Sequence, residues 1–326
     1  TNSTFNPNAP WIQTGSPNGG SILSIISDGA RLFAAAGGSG VFASKNNGTS
    51  WSSVNVGLTN YKIRTLAICN GKLFAGSWEN GGIFRSTNNG ISWSPANTGL
   101  TNLIIYALIT KGNDLFAGTY GGGIFHSTNQ GVSWSPSNSG LTNMNIQSFT
   151  INGDNIFTGT GGGVFLSTDN GTNWIPVNIG LTNTDIKALV FNGDNLFAGT
   201  YSGLFRSTNN GTSWTDASSG LTTKIVWSIV STDTTIFAGT FGGGVFISTD
   251  AGNNWNPANS GLRSSIIYTL SMIGTNLYAG TGGGIFLSTD KAASWDAINS
   301  GLTASSVYTF TLVGDNILAG TYGNGV

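Results

Sequence analysis

A short motif ending in tryptophan recurs along the whole chain at nearly constant intervals. Seven copies run from SKNNGTSW (44–51) to STDKAASW (288–295), and they place tryptophan at Trp51, Trp93, Trp134, Trp174, Trp214, Trp255 and Trp295. The successive separations are 42, 41, 40, 40, 41 and 40 residues, and Trp11 stands 40 residues before Trp51 as a degenerate eighth member. A period of this length is typical of repeat architectures whose units are stable only when they stack.

Each interval between tryptophans contains short segments that have the character of strands. In one unit these are NIQSFTI (145–151) and GDNIFTGT (153–160), rich in Ile, Phe and Thr and bounded by Asn, Gly and Asp. Four such segments in about 40 residues are the signature of a propeller blade, with strands a to d in chain order and the tryptophan at strand d. The sequence therefore predicts a single all-β domain over residues 1–326, an eight-bladed β-propeller of four-stranded blades. We expect an N-terminal strand d at Trp11 to complete the C-terminal blade and close the ring.

The pattern S-x-D/N-x-G-x-x-W resembles the Asp-box, or BNR repeat, of known β-propellers. Proteins with this repeat include exo-sialidases, xyloglucan-degrading glucanases, sortilin-type receptors and a photosystem II assembly factor. The resemblance implies the fold, but it does not select one activity, because these proteins do unrelated things on the same scaffold. The low charge and the Asn/Thr/Gly-rich surface also resemble the propeller modules of secreted bacterial proteins.

The third position of the motif is predicted to stabilise a turn. Asp or Asn there can accept hydrogen bonds from the backbone of its own turn. The residues at this position are Asn46, Asn88, Asn129, Asp169, Asn209, Asp250 and Asp290. Only three of these seven are carboxylates, and a catalytic or calcium-binding role requires charge, so the sequence predicts a structural role.

Composition limits the classes of partner. Charged residues make up 8% of the chain and the net charge is −1, which favours neither nucleic acid nor an anionic membrane. There is no apolar stretch of the length needed for membrane insertion. The single Cys69 excludes an internal disulfide and a cysteine-based metal cluster, and it is predicted to be a buried thiol. Polarity that comes from Asn, Ser, Thr and Gly favours a secreted or cell-surface protein.

Catalytic residues are not evident in the sequence. The resemblance to sialidases would require an arginine triad, a Tyr–Glu pair and an acidic aspartate, but Glu79 is the only glutamate and the triad cannot be assembled. Most aspartates fall in repeated turns, and Asp185, Asp216 and Asp296, which do not, have no evident pairing. His126 is predicted to be a solvated strand position. We therefore expect no catalytic residue, no metal site and no cofactor.

Two positions vary among otherwise uniform repeats. The first, in strand a, is occupied by Leu23, Arg64, Tyr106, Gln147, Lys187, Trp227, Tyr268 and Tyr308. The second, in the connection between strands b and c, is occupied by Trp78, Tyr120, Tyr201, Phe241 and Tyr322, with Gly161 and Gly282 in other units. In propeller topology both positions lie on the same face, at one mouth of the channel. Aromatic rings beside polar groups suit sugar rings and protein partners, so all these positions except Leu23 and the glycines are candidate ligand-binding residues.

The sequence thus predicts a non-catalytic extracellular module that binds a glycan or a protein partner at the channel mouth. Two alternatives remain open. One is a structural subunit of a surface layer or filament, which would self-assemble, and the other is a glycoside hydrolase of an Asp-box propeller family.

Overall fold

The described residues of the chain form seven four-stranded antiparallel sheets and one two-stranded sheet. The structure is a computed structural model that describes residues 21–46, 49–232, 235–300, 302, 306–313 and 316–322. Within each sheet the strands pair in chain order, so every sheet is a simple meander. An all-β propeller is therefore confirmed. No helix in the described part of the chain has the length and the hydrophobicity that a membrane span requires.

The first four sheets, here called blades 1 to 4, are made as follows. Blade 1 contains β1 (Ile22–Ser27), β2 (Leu32–Ala36), β3 (Gly40–Ser44) and β4 (Ser52–Ser53). Blade 2 contains β5 (Ile63–Cys69), β6 (Lys72–Ser77), β7 (Ile83–Ser86) and β8 (Ser94–Pro95). Blade 3 contains β9 (Ile105–Lys111), β10 (Asp114–Thr119), β11 (Ile124–Ser127) and β12 (Ser135–Pro136). Blade 4 contains β13 (Ile146–Asn152), β14 (Asn155–Thr160), β15 (Gly163–Ser167) and β16 (Ile175–Pro176).

The remaining sheets follow the same plan. Blade 5 contains β17 (Ile186–Asn192), β18 (Asn195–Thr200), β19 (Gly203–Ser207) and β20 (Thr215–Asp216). Blade 6 contains β21 (Val226–Ser231), β22 (Ile236–Thr240), β23 (Val245–Ser248) and β24 (Asn256–Pro257). Blade 7 contains β25 (Ile267–Ile273), β26 (Asn276–Thr281), β27 (Gly284–Ser288) and β28 (Asp296–Ala297). The eighth sheet contains β29 (Val307–Val313) and β30 (Asn316–Thr321).

The first strands of neighbouring sheets contact one another all the way around the molecule. The contacts run from β1 to β5 and onward to β25 and β29, and β29 contacts β1. These strands, which are strand a of each repeat, therefore surround the central axis. The outermost strands have only two residues each, which leaves little unpaired backbone at the rim.

The prediction of eight four-stranded blades is wrong, because only seven sheets have four strands. The tryptophan count treated every repeat as a complete blade, but the eighth sheet pairs only β29 with β30 in the described residues. The strands expected to complete it, at Trp11 and after residue 322, lie outside the described residues.

The hydrophobic core lies between blades. One cluster joins Phe33 and Val41 of blade 1 to Ile63, Phe84 and Trp93, which belong to the next repeat. The tryptophan that precedes each short outer strand is buried, and its indole N–H donates to the preceding repeat in six copies. The acceptors are the carbonyls of Val54, Ala96, Val177, Ala217 and Ala258, and the hydroxyl of Ser137. Each blade is thus stabilised by its neighbour.

Cys69 lies in the core between blades 2 and 3, as predicted. Its Sγ is 3.4 Å from the carbonyl oxygen of Asn113. Burial raises the pKa of this thiol, with the Asp114 carboxylate adding to the effect, so the neutral form is favoured.

Candidate functional site

A β-bulge lies at the same place in all eight sheets. Where strand a begins, the pairing with strand b shifts by one residue, and that extra residue is here called the bulge residue. The bulge residues are Leu23, Arg64, Tyr106, Gln147, Lys187, Trp227, Tyr268 and Tyr308. They are the variable positions of strand a. A bulge releases a residue from the regular ladder and redirects its side chain, which is a common device at functional sites.

The connection between strands b and c folds back on the start of strand a. In blade 3 the backbone N–H of Tyr120 donates to the carbonyl of Ile104, and the N–H groups of Gly121 and Gly123 donate to Met144 of the next repeat. Equivalent bonds join Phe241 to Ile225 and Tyr322 to Ser306. Both variable positions therefore belong to one face of the ring, which is here called the mouth.

Four connection aromatics contact the bulge residue of their own sheet. The ring of Tyr120 stacks on Tyr106 at 5.4 Å, and the Phe241 and Trp227 centroids are 4.7 Å apart. The Tyr322 ring meets Tyr308 at 6.0 Å. The Nζ atom of Lys187 lies 4.5 Å from the centroid of Tyr201. These four outer rings remain accessible, with exposed fractions of 52% for Tyr120, 45% for Tyr201, 38% for Phe241 and 64% for Tyr322.

One sector of the mouth is a continuous run of aromatic rings. Trp227 of blade 6 lies 5.8 Å from Tyr268 of blade 7, and Tyr268 lies 4.5 Å from Tyr308 of the eighth sheet. Burial, reinforced by Tyr268 and Tyr322, raises the pKa of Tyr308 to about 12. The hydroxyl of Tyr308 therefore stays neutral and remains a hydrogen-bond donor across the physiological range.

The opposite sector is polar and contains cations. The Nε2 atom of Gln147 donates to Asp185 Oδ1 at 2.6 Å, and Lys187 Nζ donates to Gln147 Oε1 at 2.9 Å. The same Nζ is 2.9 Å from Asp185 Oδ1, which closes a three-residue network between blades 4 and 5. In blade 2, Lys62 pairs with Glu79 at 2.5 Å, and its Nζ lies 5.9 Å from the ring centroid of Trp78.

Arg64 holds a different position from these lysines. Its Cζ lies 4.3 Å from the ring centroid of Tyr106, and its Nε is 3.3 Å from the carbonyl oxygen of Tyr106. It is half-buried, and this burial lowers the pKa of the guanidinium. Across the described residues no carboxylate lies within ion-pair distance of Arg64.

Glycine replaces the outer ring in some sheets and leaves the bulge residue uncovered. A Cβ placed on Gly161 would stand 3.8 Å from Gln147 Nε2, and one on Gly282 would stand 3.9 Å from the ring of Tyr268. Leu23 is likewise covered only by a glycine, Gly37. The mouth is therefore uneven, with outer rings in some sheets and gaps in others.

Sequence reasoning missed Lys62, Glu79 and the pairing of Asp185. Asp185 and Lys62 stand two residues before their bulge residues, at a position where Ile104, Asn145 and Ile225 stand in other repeats. Variation among the repeats at that position could have indicated these charged residues. The Gln147–Asp185 contact itself joins two repeats, so no spacing within one repeat could show it.

The third-position residues of the repeated motif have their hydrogen bonds inside their own turns, on the other side of the blades. In all seven copies the side-chain oxygen accepts from the hydroxyl of the serine two residues earlier. It also accepts from the backbone N–H four residues later. Asn and Asp make the same two contacts, so charge is not needed for this turn.

His126 is not the solvated residue that was predicted. Its ring stacks on Phe116 with centroids 4.2 Å apart, and its Nε2 lies 3.1 Å from Asp114 Oδ2 without the alignment of a hydrogen bond. Its side chain is 18% exposed. Strand pairing places His126 opposite Phe116, and this contact covers the imidazole.

The described part of the chain contains no group of three or more His, Cys, Asp or Glu side chains that could hold a metal ion. Asp114, the carboxylate nearest His126, also accepts a hydrogen bond from Asn170 of the next blade. The hydrogen bond between Asn170 and Asp114 joins neighbouring blades, as does the hydrogen bond from Arg206 to the carbonyl of Ala251.

Comparison with known proteins agrees with the fold. Residues 25–144, which are 120 of the 326 residues, match the family described as the DUF6242 beta propeller domain. No curated protein matches the chain.

Three solved structures illustrate the similarity. The extracellular domain of the putative one component system BT4673 from B. thetaiotaomicron matches with a TM-score of 0.64 at 16% identity, over 96% of this chain and 38% of that one. YCF48 bound to D1 peptide matches with a TM-score of 0.58 at 16% identity, over 96% and 93% of the two chains. The GH74 xyloglucanase from Xanthomonas campestris matches with a TM-score of 0.62 at 15% identity, over 94% and 58%. Similarity at this level of identity concerns the β-propeller fold alone.

Proposed function

We propose that this chain is a non-catalytic extracellular binding module that recognises a glycan or a protein partner at the mouth. The observation that carries the proposal is the clustering of both variable positions into one surface of contacting aromatic and charged side chains. Aromatic rings and arginine are enriched at binding hot spots because they supply large contact areas together with hydrogen bonds. The backbone beneath them is hydrogen bonded within and between blades, so the surface is preformed and loses little conformational entropy on binding.

The charged groups at the mouth argue against hydrolysis. A glycosidase needs two carboxyl groups, one of which protonates the leaving oxygen. Among the described residues the mouth offers Glu79 and Asp185, and each is held in an ion pair with a lysine.

We further infer that the repeat is an Asp-box and that the module works outside the cell. The seven turns share one hydrogen-bonding scheme built on the pattern S-x-D/N-x-G-x-x-W. One of the similar structures is an extracellular domain from a bacterium. The surface of this chain, poor in charge and rich in Asn, Ser and Thr, fits the same setting.

The proposal is tested by measuring binding to a broad array of glycans, polysaccharides and secreted proteins. We expect the native chain to bind at least one ligand, and the double variant Trp78→Ala, Trp227→Ala to lose at least about tenfold in affinity, because truncating an interface aromatic costs about 2 kcal/mol or more. A reducing-sugar assay on the same samples should detect no hydrolysis.

The matched control is the double variant Ile91→Ala, Val132→Ala, which truncates two exposed apolar side chains in Asp-box turns. It should bind like the native chain. Equal losses in both variants, or release of sugar from any polysaccharide, would contradict the proposal. Self-association of the native chain into ordered assemblies without a ligand would favour the structural-subunit alternative.

A further inference from the structure

Charge is segregated between the two faces of the ring. The mouth carries the cations Lys62, Arg64, Lys187, Lys224 and Arg263, against the carboxylates Glu79 and Asp185. Five positive and two negative groups give this face a net charge of +3, whereas the whole chain carries −1. The rest of the molecule is therefore acidic, and a single face attracts anions.

Lys224 and Arg263 belong to this face by their contacts and their place in the chain. Lys224 stands just before β21, and its Cδ is 4.0 Å from where a Cβ on Gly203 would lie, at the end of the b–c connection of blade 5. Arg263 precedes Ser264, whose side chain lies against Gly282 and Gly283 in the b–c connection of blade 7. Both side chains are exposed and are free to contact a ligand.

Arg64 is the cation best placed to bind an anionic group specifically. The lysines Lys62 and Lys187 are already paired with carboxylates, while the partners of Arg64 among the described residues are the ring and the carbonyl oxygen of Tyr106. The Tyr106 contact fixes the plane of the guanidinium, and its terminal N–H groups have no protein acceptor in the described chain. A fixed guanidinium binds a carboxylate through two parallel hydrogen bonds.

The surroundings of Arg64 favour a sugar over a peptide. Extended peptides are commonly bound by adding a strand to an exposed sheet edge. At the mouth the b–c connections are already hydrogen bonded to the starts of the first strands, and the unpaired edges lie at the outer rim. Recognition must therefore come from side chains, and the rings of Tyr106 and Tyr120 next to Arg64 present a platform for the apolar face of a pyranose.

We propose that the mouth binds an acidic glycan, a polymer of uronic acid residues, with one carboxylate paired to Arg64 and a neighbouring sugar ring stacked on Tyr120. The proposal rests on the binding function proposed above and names the ligand class. The remaining cations of the face attract the polyanion, so the affinity falls as salt is added.

The test uses the full chain and three soluble polymers in titration calorimetry. Polygalacturonate is the acidic glycan, its fully methyl-esterified form has the same backbone without charge, and poly-L-glutamate supplies carboxylates without sugar. We expect binding to polygalacturonate, and binding at least about tenfold weaker to the other two. Arg64→Gln should weaken polygalacturonate binding by roughly tenfold or more, and Arg64→Lys should restore part of it.

Because Arg64 is half-buried, a second pair of variants guards against loss of folding. Lys224→Gln, Arg263→Gln removes two exposed charges from the mouth and should weaken binding roughly threefold or more. Lys45→Gln, Lys291→Gln removes two exposed charges from the Asp-box side, where Gln130 already occupies the position equivalent to Lys291, and should change the affinity less than about twofold.

Each contrary outcome has a distinct meaning. Equal binding of the methyl ester and of polygalacturonate would overturn the acidic ligand and leave the binding function standing. Binding of poly-L-glutamate as strong as that of polygalacturonate, with the same dependence on Arg64, would replace the glycan by an acidic peptide. Equal effects of the two double variants would refute the role of the mouth. If the chain bound none of the three polymers, the acidic-glycan proposal would be overturned. The binding function would be overturned only if the chain also bound nothing on the array.

Discussion

Asparagine and aspartate both occur at the third position of the repeated motif, and the turn keeps its hydrogen bonds from the serine hydroxyl and from the backbone N–H four residues later with either. The second side-chain atom differs, because the asparagine Nδ2 donates to a serine hydroxyl whereas the aspartate Oδ2 accepts a hydrogen bond. The two residues also differ in how they respond to acid. Hydrogen bonds from Asn254 lower the pKa of Asp250 to about 2, and hydrogen bonds from Ser294 lower that of Asp290 to about 2. The backbone and side chain of Asn173 lower the pKa of Asp169 as well.

These lowered pKa values predict an acid-dependent loss of stability. Each carboxylate titrates lower in the folded chain than its ordinary value of 3.8, so over that interval the unfolded chain binds more protons. The contribution is complete above about pH 4 and is lost as the pH falls towards about 2. We expect the triple variant Asp169→Asn, Asp250→Asn, Asp290→Asn to lose less stability over this interval than the native chain.

The measurement is the melting temperature of both proteins between pH 2 and pH 6 at fixed ionic strength. The difference between them should shift in favour of the variant below about pH 4, because asparagine does not titrate. If the melting temperatures of the two proteins ran parallel over the whole pH range, the turn hydrogen bonds would not stabilise the charged form of the three carboxylates.

At the scale of elements, the seam between blades depends on a glycine in the linker from strand d to the next strand a. These linker glycines have positive φ, and a Cβ on any of them would lie 2.0–2.1 Å from the carbonyl oxygen of a tryptophan in the next repeat. The glycines are Gly57, Gly99, Gly140, Gly180, Gly220 and Gly261. The carbonyl of Ser139, which precedes Gly140, also accepts the backbone N–H of Trp174 at 2.8 Å, so the backbones of the two repeats are in direct contact.

We expect Gly140→Ala to lower the free energy of unfolding by roughly 2–5 kcal/mol. About 1–2 kcal/mol comes from the left-handed backbone and about 1–3 from overpacking against the Trp174 carbonyl. Gly153→Ala is the matched control, because Gly153 also has positive φ (+56°) but a Cβ there meets no atom within 4 Å. Urea denaturation of both variants measures their free energies of unfolding. Equal losses would mean that the close contact of Gly140 with the Trp174 carbonyl adds nothing to the effect of the left-handed backbone.

The blades could be predicted from sequence because their signals are local. Each tryptophan interval contains its own turns and strand segments, and pairing within a sheet follows chain order. The bulges could not be predicted, because a bulge is a property of strand pairing, and the variable residue of strand a marked its position without showing the shift in register. The contact of Gln147 with Asp185 joins two repeats, and the contact of His126 with Phe116 joins two strands of one sheet; both depend on how strands are placed side by side, so they were missed for the same reason. The variable positions pointed to the mouth, but they did not show that Arg64 has no ion-pair partner among the residues that the structure describes.

At the scale of the whole molecule, repetition in sequence does not guarantee equal blades. Among the described residues the eighth sheet pairs two strands where the tryptophan count predicted four, although β29 still contacts both neighbours in the ring. Variation among the repeats then separates an aromatic and cationic mouth from an acidic remainder. We propose that the two variable positions of the repeat meet on one surface because the mouth binds a ligand.

Hydroxyl-radical footprinting tests this claim most directly, because it reports the solvent access of individual aromatic side chains. It would be done with the native chain and a glycan or protein that binds it on the array, at saturating ligand. We predict protection of Tyr120, Tyr201, Phe241 and Tyr322, which are exposed in the free chain, with Ile91 and Val132 in the turns of the repeated motif unchanged as internal references. Protection of Ile91 and Val132, with the four mouth rings still reactive, would contradict the account.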